Sequence, residues 1–175
     1  SANLSSSSIT NSTFTASTLT NFTMVRATVV KSDFTTANLE KGTLTGSTLT
    51  DTVLVEATLV DANMEKMEMT NCNLTKANLE KATLTGSTLK ETVLVETTLV
   101  NANMEKMKMT NCNLTNVNLK KVTLAGSKLT NTSLAQCNLT NAVMTTMELK
   151  NVDMQAAVLT GVNMSGTRLH GVVNL

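Results

Sequence analysis

The sequence predicts an all-β chain wound as a stacked coil. Three observations carry that expectation: an apolar residue every five positions, a small residue two places before it, and a longer repeat of forty residues. Stepping by five from Leu4 to Leu169 gives 34 positions, and each holds Leu, Met, Phe, Ile or Val. These positions are the centres. The residue two before a centre is usually small, as with Ala27, Ala37, Ser47, Ala57 and Cys72. All 27 charged residues fall at the other three positions of the five.

A period of five matches neither the 3.6 of a helix nor the 2 of a strand. Extended chain points alternate residues to one side, so the centre and the residue two before it face inward together. Two residues after the centre, alternation would demand another inward side chain. The sequence places Asn, Lys, Asp, Glu or Gly there instead. The chain must turn at that point and reset its phase. An extended piece and a corner, repeated, give a coil with a filled interior and a polar exterior.

The segments ANLEK (37–41), ANMEK (62–66), CNLTK (72–76), ANLEK (77–81) and CNLTN (112–116) share the motif A-(N/D)-L-x-x. On these residues the chain resembles the pentapeptide-repeat proteins over essentially its whole length. The resemblance implies a right-handed quadrilateral parallel β-helix, a solenoid in which four pentapeptides form one square coil. It implies about 8–9 coils of 20 residues, a single domain over 1–170 with 171–175 as a C-terminal tail. At about 4.8 Å per stacked strand, such a rod is roughly 40 Å long.

The forty-residue repeat then corresponds to two coils. Residues 39–78 and 79–118 align without gaps and differ at eight positions: 42, 50, 51, 57, 61, 68, 76 and 77. Residues twenty apart would stack directly, where unlike charges attract and like charges repel. The columns Lys41–Asp61–Lys81 and Glu56–Lys76–Glu96 alternate in sign, and Gly46–Lys66–Gly86–Lys106–Gly126 alternates an absent side chain with a charged one. Inside, Ser47–Met67–Ser87–Met107–Ser127–Met147–Thr167 alternates small with large. Large beside small fills a narrow core without voids.

Chemistry is sparse. The stretch NMEKMEMTNCNL (63–74), which returns as NMEKMKMTNCNL (103–114), has the soft atoms of a thioether–thiolate copper site. Its register instead makes Met64 and Met69 centres, Met67 the large member of an alternating column and Cys72 a small inward residue. No metal and no cofactor is expected. Cys72, Cys112 and Cys137 read as buried free thiols, with Cys72 and Cys112 two coils apart and too distant for a disulfide. His170 is the single histidine, and no triad, phosphate loop or paired-acid set stands out, so no enzyme activity or small-molecule substrate is expected. Net charge is +1 and no apolar run approaches a membrane span, so neither nucleic acid nor membrane is expected as a partner. The free cysteines, with no signal peptide in the sequence, read as cytoplasmic.

The expected function is a non-catalytic structural or protein-interaction scaffold. Val53 and Val55 flank one centre, Val93 and Val95 repeat them forty residues later, and Val60 and Val100 also point outward. These valines form a candidate docking stripe. Val172, Val173 and Leu175 in the terminal GVVNL, or the bare coil ends, are candidates for end-to-end association into a dimer or filament. The resemblance also implies an alternative activity, binding DNA gyrase as a duplex mimic that confers quinolone resistance. That mimicry needs a strongly acidic rod, whereas here 14 basic residues offset 13 acidic ones. A further alternative is ice binding through Thr-x-Thr faces such as 43–45 and 83–85. Asn63 and Glu65 interrupt that array one coil on.

Overall fold

The computed structural model describes residues 2–174. Nine three-residue strands recur every twenty residues: β1 (Ser8–Thr10), β2 (Thr28–Val30), β3 (Thr48–Thr50), β4 (Glu68–Thr70), β5 (Thr88–Lys90), β6 (Lys108–Thr110), β7 (Lys128–Thr130), β8 (Glu148–Lys150) and β9 (Arg168–His170). They form one parallel sheet in sequence order, each residue stacked on the residue twenty later, as in Leu49↔Met69. The other three sides of the coil carry isolated parallel bridges in the same register, such as Val53↔Asn73, Thr58↔Asn78 and Asn63↔Thr83. The fold is therefore a four-sided parallel β-solenoid of 20 residues per coil. Gly171–Val173 continues it: Val173 bridges Asp153 and donates its N–H to the Val152 carbonyl at 3.0 Å.

The corners fall where the sequence places them. Every fifth residue from Ser6 to Gly171, two after each centre, has positive φ. Asn tolerates that left-handed conformation, and Gly adopts it freely; other residues are strained there. At three corners of the serine coils, and at two in the methionine coils that alternate with them, a backbone i→i+3 bond closes the turn, for example Ala57 N–H to the Leu54 carbonyl at 3.1 Å. The motif Asn supports the same turns from outside. Asn63, Asn73, Asn78, Asn103 and Asn113 each accept, through Oδ1, the N–H two residues ahead at 3.0–3.1 Å. This is the Asx-turn geometry that favours Asn before the centre.

At the fourth corner, after each strand, side chains take over. Thr52, Thr92 and Thr132 donate their hydroxyls to the carbonyl two residues back at 3.1 Å. Cys72 and Cys112 make the corresponding thiol contact at 3.5 Å. Both cysteines thus occupy a column of hydroxyl donors, with the thiol standing in for Ser or Thr.

The centres from Phe34 through Met154 are all buried. Stacking Leu and Met at van der Waals contact over so many rungs supplies the main stabilising term. Phe14 and Phe34 stack at 4.6 Å between centroids.

The two-coil alternation proves to be a hydrogen-bond device as well as a volume device. In the coils of Ser47, Ser87 and Ser127, the serine N–H closes its own turn onto Leu44, Leu84 and Leu124. In the methionine coils the equivalent turn bond is replaced. The Ser87 hydroxyl accepts the Met67 N–H at 2.9 Å and donates to the Met64 carbonyl at 2.7 Å. Ser127 does the same for Met107 and Met104, at 2.9 and 2.7 Å. Each buried serine thereby satisfies two backbone groups of its neighbour, groups that would be costly to bury unpaired.

Outside, the charge columns are only partly realised. Lys76 reaches Glu96 across the coils at 3.9 Å. Lys41 and Lys81, expected to ladder with Asp61, pair instead with adjacent Glu40 and Glu80 at 3.0 and 3.6 Å. The longer glutamate one residue away offers a shorter reach than the stubby aspartate in the next coil. The basic stems of Arg26, Lys66 and Lys106 lie over Gly46, Gly86 and Gly126, with Cγ 3.6–3.7 Å from where a Cβ would be.

Candidate interaction surface

Val53 and Val55, like Val93 and Val95, stand half-buried on one side of the rod, outward from the buried centres Leu54 and Leu94. The corners bounding this side fall at Asp51 and Glu56 in one coil and at Glu91 and Glu96 two coils on. Each valine pair is therefore a rung rimmed by two carboxylates, written in sequence as DTVLVE (51–56) and ETVLVE (91–96). The two rungs of the candidate stripe lie on one side of the rod, two coils apart. Asn73 bridges both Val53 and Val93, so a polar coil separates them. The forty-residue alternation that organises the core also interrupts the surface. Val60 and Val100 lie on the next side, two coils apart.

The carboxylates are partly engaged. Asp51 accepts the Asn71 side-chain amide at 2.7 Å. Glu91 lies 3.5 Å from Lys90 and Glu96 lies 3.9 Å from Lys76, with all four side chains about half exposed. Pairs this exposed contribute little stability and leave the acids open to other partners.

Because each coil is one rung, position in the sequence is position along the rod. Residues 1–105 carry seven basic and eleven acidic side chains; residues 106–175 carry seven basic and two acidic. The near-zero net charge conceals a polarised rod. On the strand side, exposed Lys106, Lys108, Lys128, Lys150 and Arg168 surround a single acid, Glu148, which pairs with Lys128 at 2.8 Å. The Lys128 contact and the nearby Arg168 charge hold the Glu148 carboxyl below its ordinary range. A cleft of about 330 Å³ opens between the glycine corners Gly126 and Gly166, lined by Lys128, Thr146, Met147, Glu148 and Arg168.

At the C-terminal end Leu169 is 46% exposed and Val173 50% exposed, whereas Val172 packs against the core. Leu175 lies outside the described residues. His170 is exposed on β9. The sulfur chemistry is subdued: burial pushes the Cys72 thiol up to about 11 and Cys137 to about 12, and raises Cys112. All three are free and buried. Among the described residues no group of three or more His, Cys, Asp or Glu is placed to hold a metal ion, and no helix is long and apolar enough to cross a membrane. The threonine columns are broken as the register requires, with Asn63 between Thr43 and Thr83.

Family models decide the relationship. The model for a pentapeptide repeat region matches residues 62–139, and that for pentapeptide repeats (8 copies) matches 32–66 and 147–173. The chain belongs to the pentapeptide-repeat family. Among solved structures of this family, HetL from the cyanobacterium Nostoc, involved in heterocyst differentiation regulation, is similar at 21% identity and a TM-score of 0.58, covering 98% of this chain and 89% of that one. QnrB1, a plasmid-mediated fluoroquinolone resistance protein, is 14% identical with a TM-score of 0.49, covering 95% of this chain and 93% of that one. At these identities the likeness extends to the fold alone. No curated protein matches the sequence.

The valines were legible in the sequence, but their acidic rims and the basic strand side were not singled out. Two signals mark them: the DTVLVE/ETVLVE pair forty residues apart, and a charge count taken by halves rather than over the whole chain.

Proposed function

We propose that this pentapeptide-repeat solenoid is a non-catalytic scaffold that binds protein through the acid-rimmed valine rungs of its third to fifth coils. The observation that carries the reading is the recurrence, forty residues apart, of apolar pairs set between carboxylates on one side of the rod. An apolar centre with a charged rim is the usual anatomy of a protein–protein contact. The solenoid supplies a flat, preorganised surface, so binding sacrifices little conformational freedom. A second contact belongs to the same proposal, self-association through the last coil, where Leu169 and Val173 are about half exposed.

The test is a comparison of wild type with Val53→Asp/Val93→Asp. A protein retained by the wild type is identified, purified and titrated against both forms, with circular dichroism to verify the fold. The reading requires at least a tenfold loss of affinity in the variant, about 1.4 kcal/mol. Equal affinity for both forms would remove the valine rungs from the contact. Leu169→Glu tests the end contact separately, through the mass in light scattering.

A further inference from the structure

Two surfaces of this one chain are complementary. The valine rungs are bounded by Asp51, Glu56, Glu91 and Glu96, while the β6–β9 side presents Lys106, Lys108, Lys128, Lys150 and Arg168 around Glu148. They lie in different coils and on different sides of the rod, so they do not meet within one molecule. Spacing identifies the partner that fits both. Stacked coils repeat at about 4.8 Å, so the two acidic rungs, separated by the coil of Asn71 and Lys76, recur at about 9.6 Å, a spacing that alternate rungs of a second rod laid alongside reproduce. A free extended acidic peptide presents same-side residues roughly 6.7 Å apart and drifts out of step within a few residues.

We infer that the acid-rimmed valine rungs of one copy dock against the basic β6–β9 side of a second copy, rod beside rod. The inference rests on the scaffold reading above and names its partner. The cleft between Gly126 and Gly166 is lined by the charged side chains Lys128, Glu148 and Arg168, with Met147 buried beneath them. The contact joins unlike patches and is heterologous in kind. It uses the flanks of the rod rather than its ends, so it is independent of Leu169 and Val173. Charge provides steering and register, while the valines supply the apolar contact.

A charge swap tests it. One variant is Lys108→Glu/Lys128→Glu, the other Glu91→Lys/Glu96→Lys. All four side chains are exposed, and circular dichroism with thermal melts verifies that each variant folds. Sedimentation velocity is run at about 50 mM and about 500 mM salt. The wild type should associate at the lower salt, and its association constant should fall at least tenfold at the higher. Each variant alone, made in a Leu169→Glu background that removes the end contact, should be monomeric over the range in which the Leu169→Glu parent associates. An equimolar mixture should associate again, because the reversed patches are complementary to each other. A mixture that stays monomeric, or association indifferent to salt and to both reversals, overturns the inference. A wild type that is monomeric throughout also overturns it, while leaving the scaffold reading to its own titration against a different protein. Loss of self-association in Val53→Asp/Val93→Asp places the valines in this contact; retention there, with the charge effects intact, removes them from it.

Discussion

Gly42 stacks one coil beyond Phe22, and a Cβ on Gly42 would stand 2.0 Å from the Phe22 ring. Phe22 is fully buried at an inward position where the following coils hold Gly42, Ala62 and Ala82. The ring is accommodated only because its neighbour has no side chain. This also explains one of the eight differences between the two forty-residue repeats: Ala82, the counterpart of Gly42, follows Ala62 rather than a phenylalanine. Gly42→Ala should lower stability by about 1–3 kcal/mol through overpacking. Urea unfolding measures it. In a Phe22→Ala background the same change should cost less than half as much, and equal costs would show that the ring is not the obstacle.

Ser87→Ala should be expensive for so small a change. It strands the Met67 N–H and the Met64 carbonyl in the core, a loss of about 1–3 kcal/mol. Hydrogen exchange should show the Met67 amide losing protection while Ser47, two coils away, keeps its own turn bond. A loss below about 0.5 kcal/mol would mean the hydroxyl does not bridge the coils.

Corner residues offer the opposite sign. Thr36 holds φ at 56°, a conformation that a β-branched residue adopts only under strain. Thr36→Asn should raise stability by about 0.5–1 kcal/mol, because Asn enters the left-handed region readily. A thermal melt reads the gain.

The buried thiols predict an alkaline weakness. A free thiol ionises near 9.0, whereas burial lifts Cys72 to about 11 and Cys137 to about 12. Between those values the unfolded chain binds fewer protons than the folded one, so stability falls as pH rises. The loss begins near pH 9 and is complete for Cys72 near pH 11; below the unfolded value these groups make no pH-dependent contribution. Cys72→Ser/Cys112→Ser/Cys137→Ala should flatten that part of the profile. The two serines should be well tolerated, since they restore the hydroxyl found at Thr52, Thr92 and Thr132. An unchanged alkaline slope in the triple variant would clear the thiols.

The coil was legible because its signal is redundant: centres, small inward residues and corners each recur at the same five-residue step. The twenty-residue register was legible from the alternating columns, and Met67 and Ser87 sat where volume required them. The hydroxyl bridge of Ser87 was not legible, because volume alone accounts for the alternation and the missing turn bond at Met67 becomes apparent only in three dimensions. The role of Cys72 was hidden for a similar reason. Its column is defined by residues twenty apart, and a thiol replacing a hydroxyl looks like any small buried residue. The candidate site was half legible. The valines stand out as apolar residues at polar positions, whereas Asp51, Glu56, Glu91 and Glu96 occupy ordinary corner positions and gain meaning only from what they flank.

The most direct test of the interaction surface is site-specific photo-cross-linking from two sides of the same coil. A photoreactive amino acid replaces Val93 in one form of the protein and Thr83, on a different side, in the other. The account predicts abundant protein adducts from position 93 and few from position 83, with mapped contacts rich in lysine or arginine. Equal yields from the two positions, or adducts from 83 alone, would contradict it.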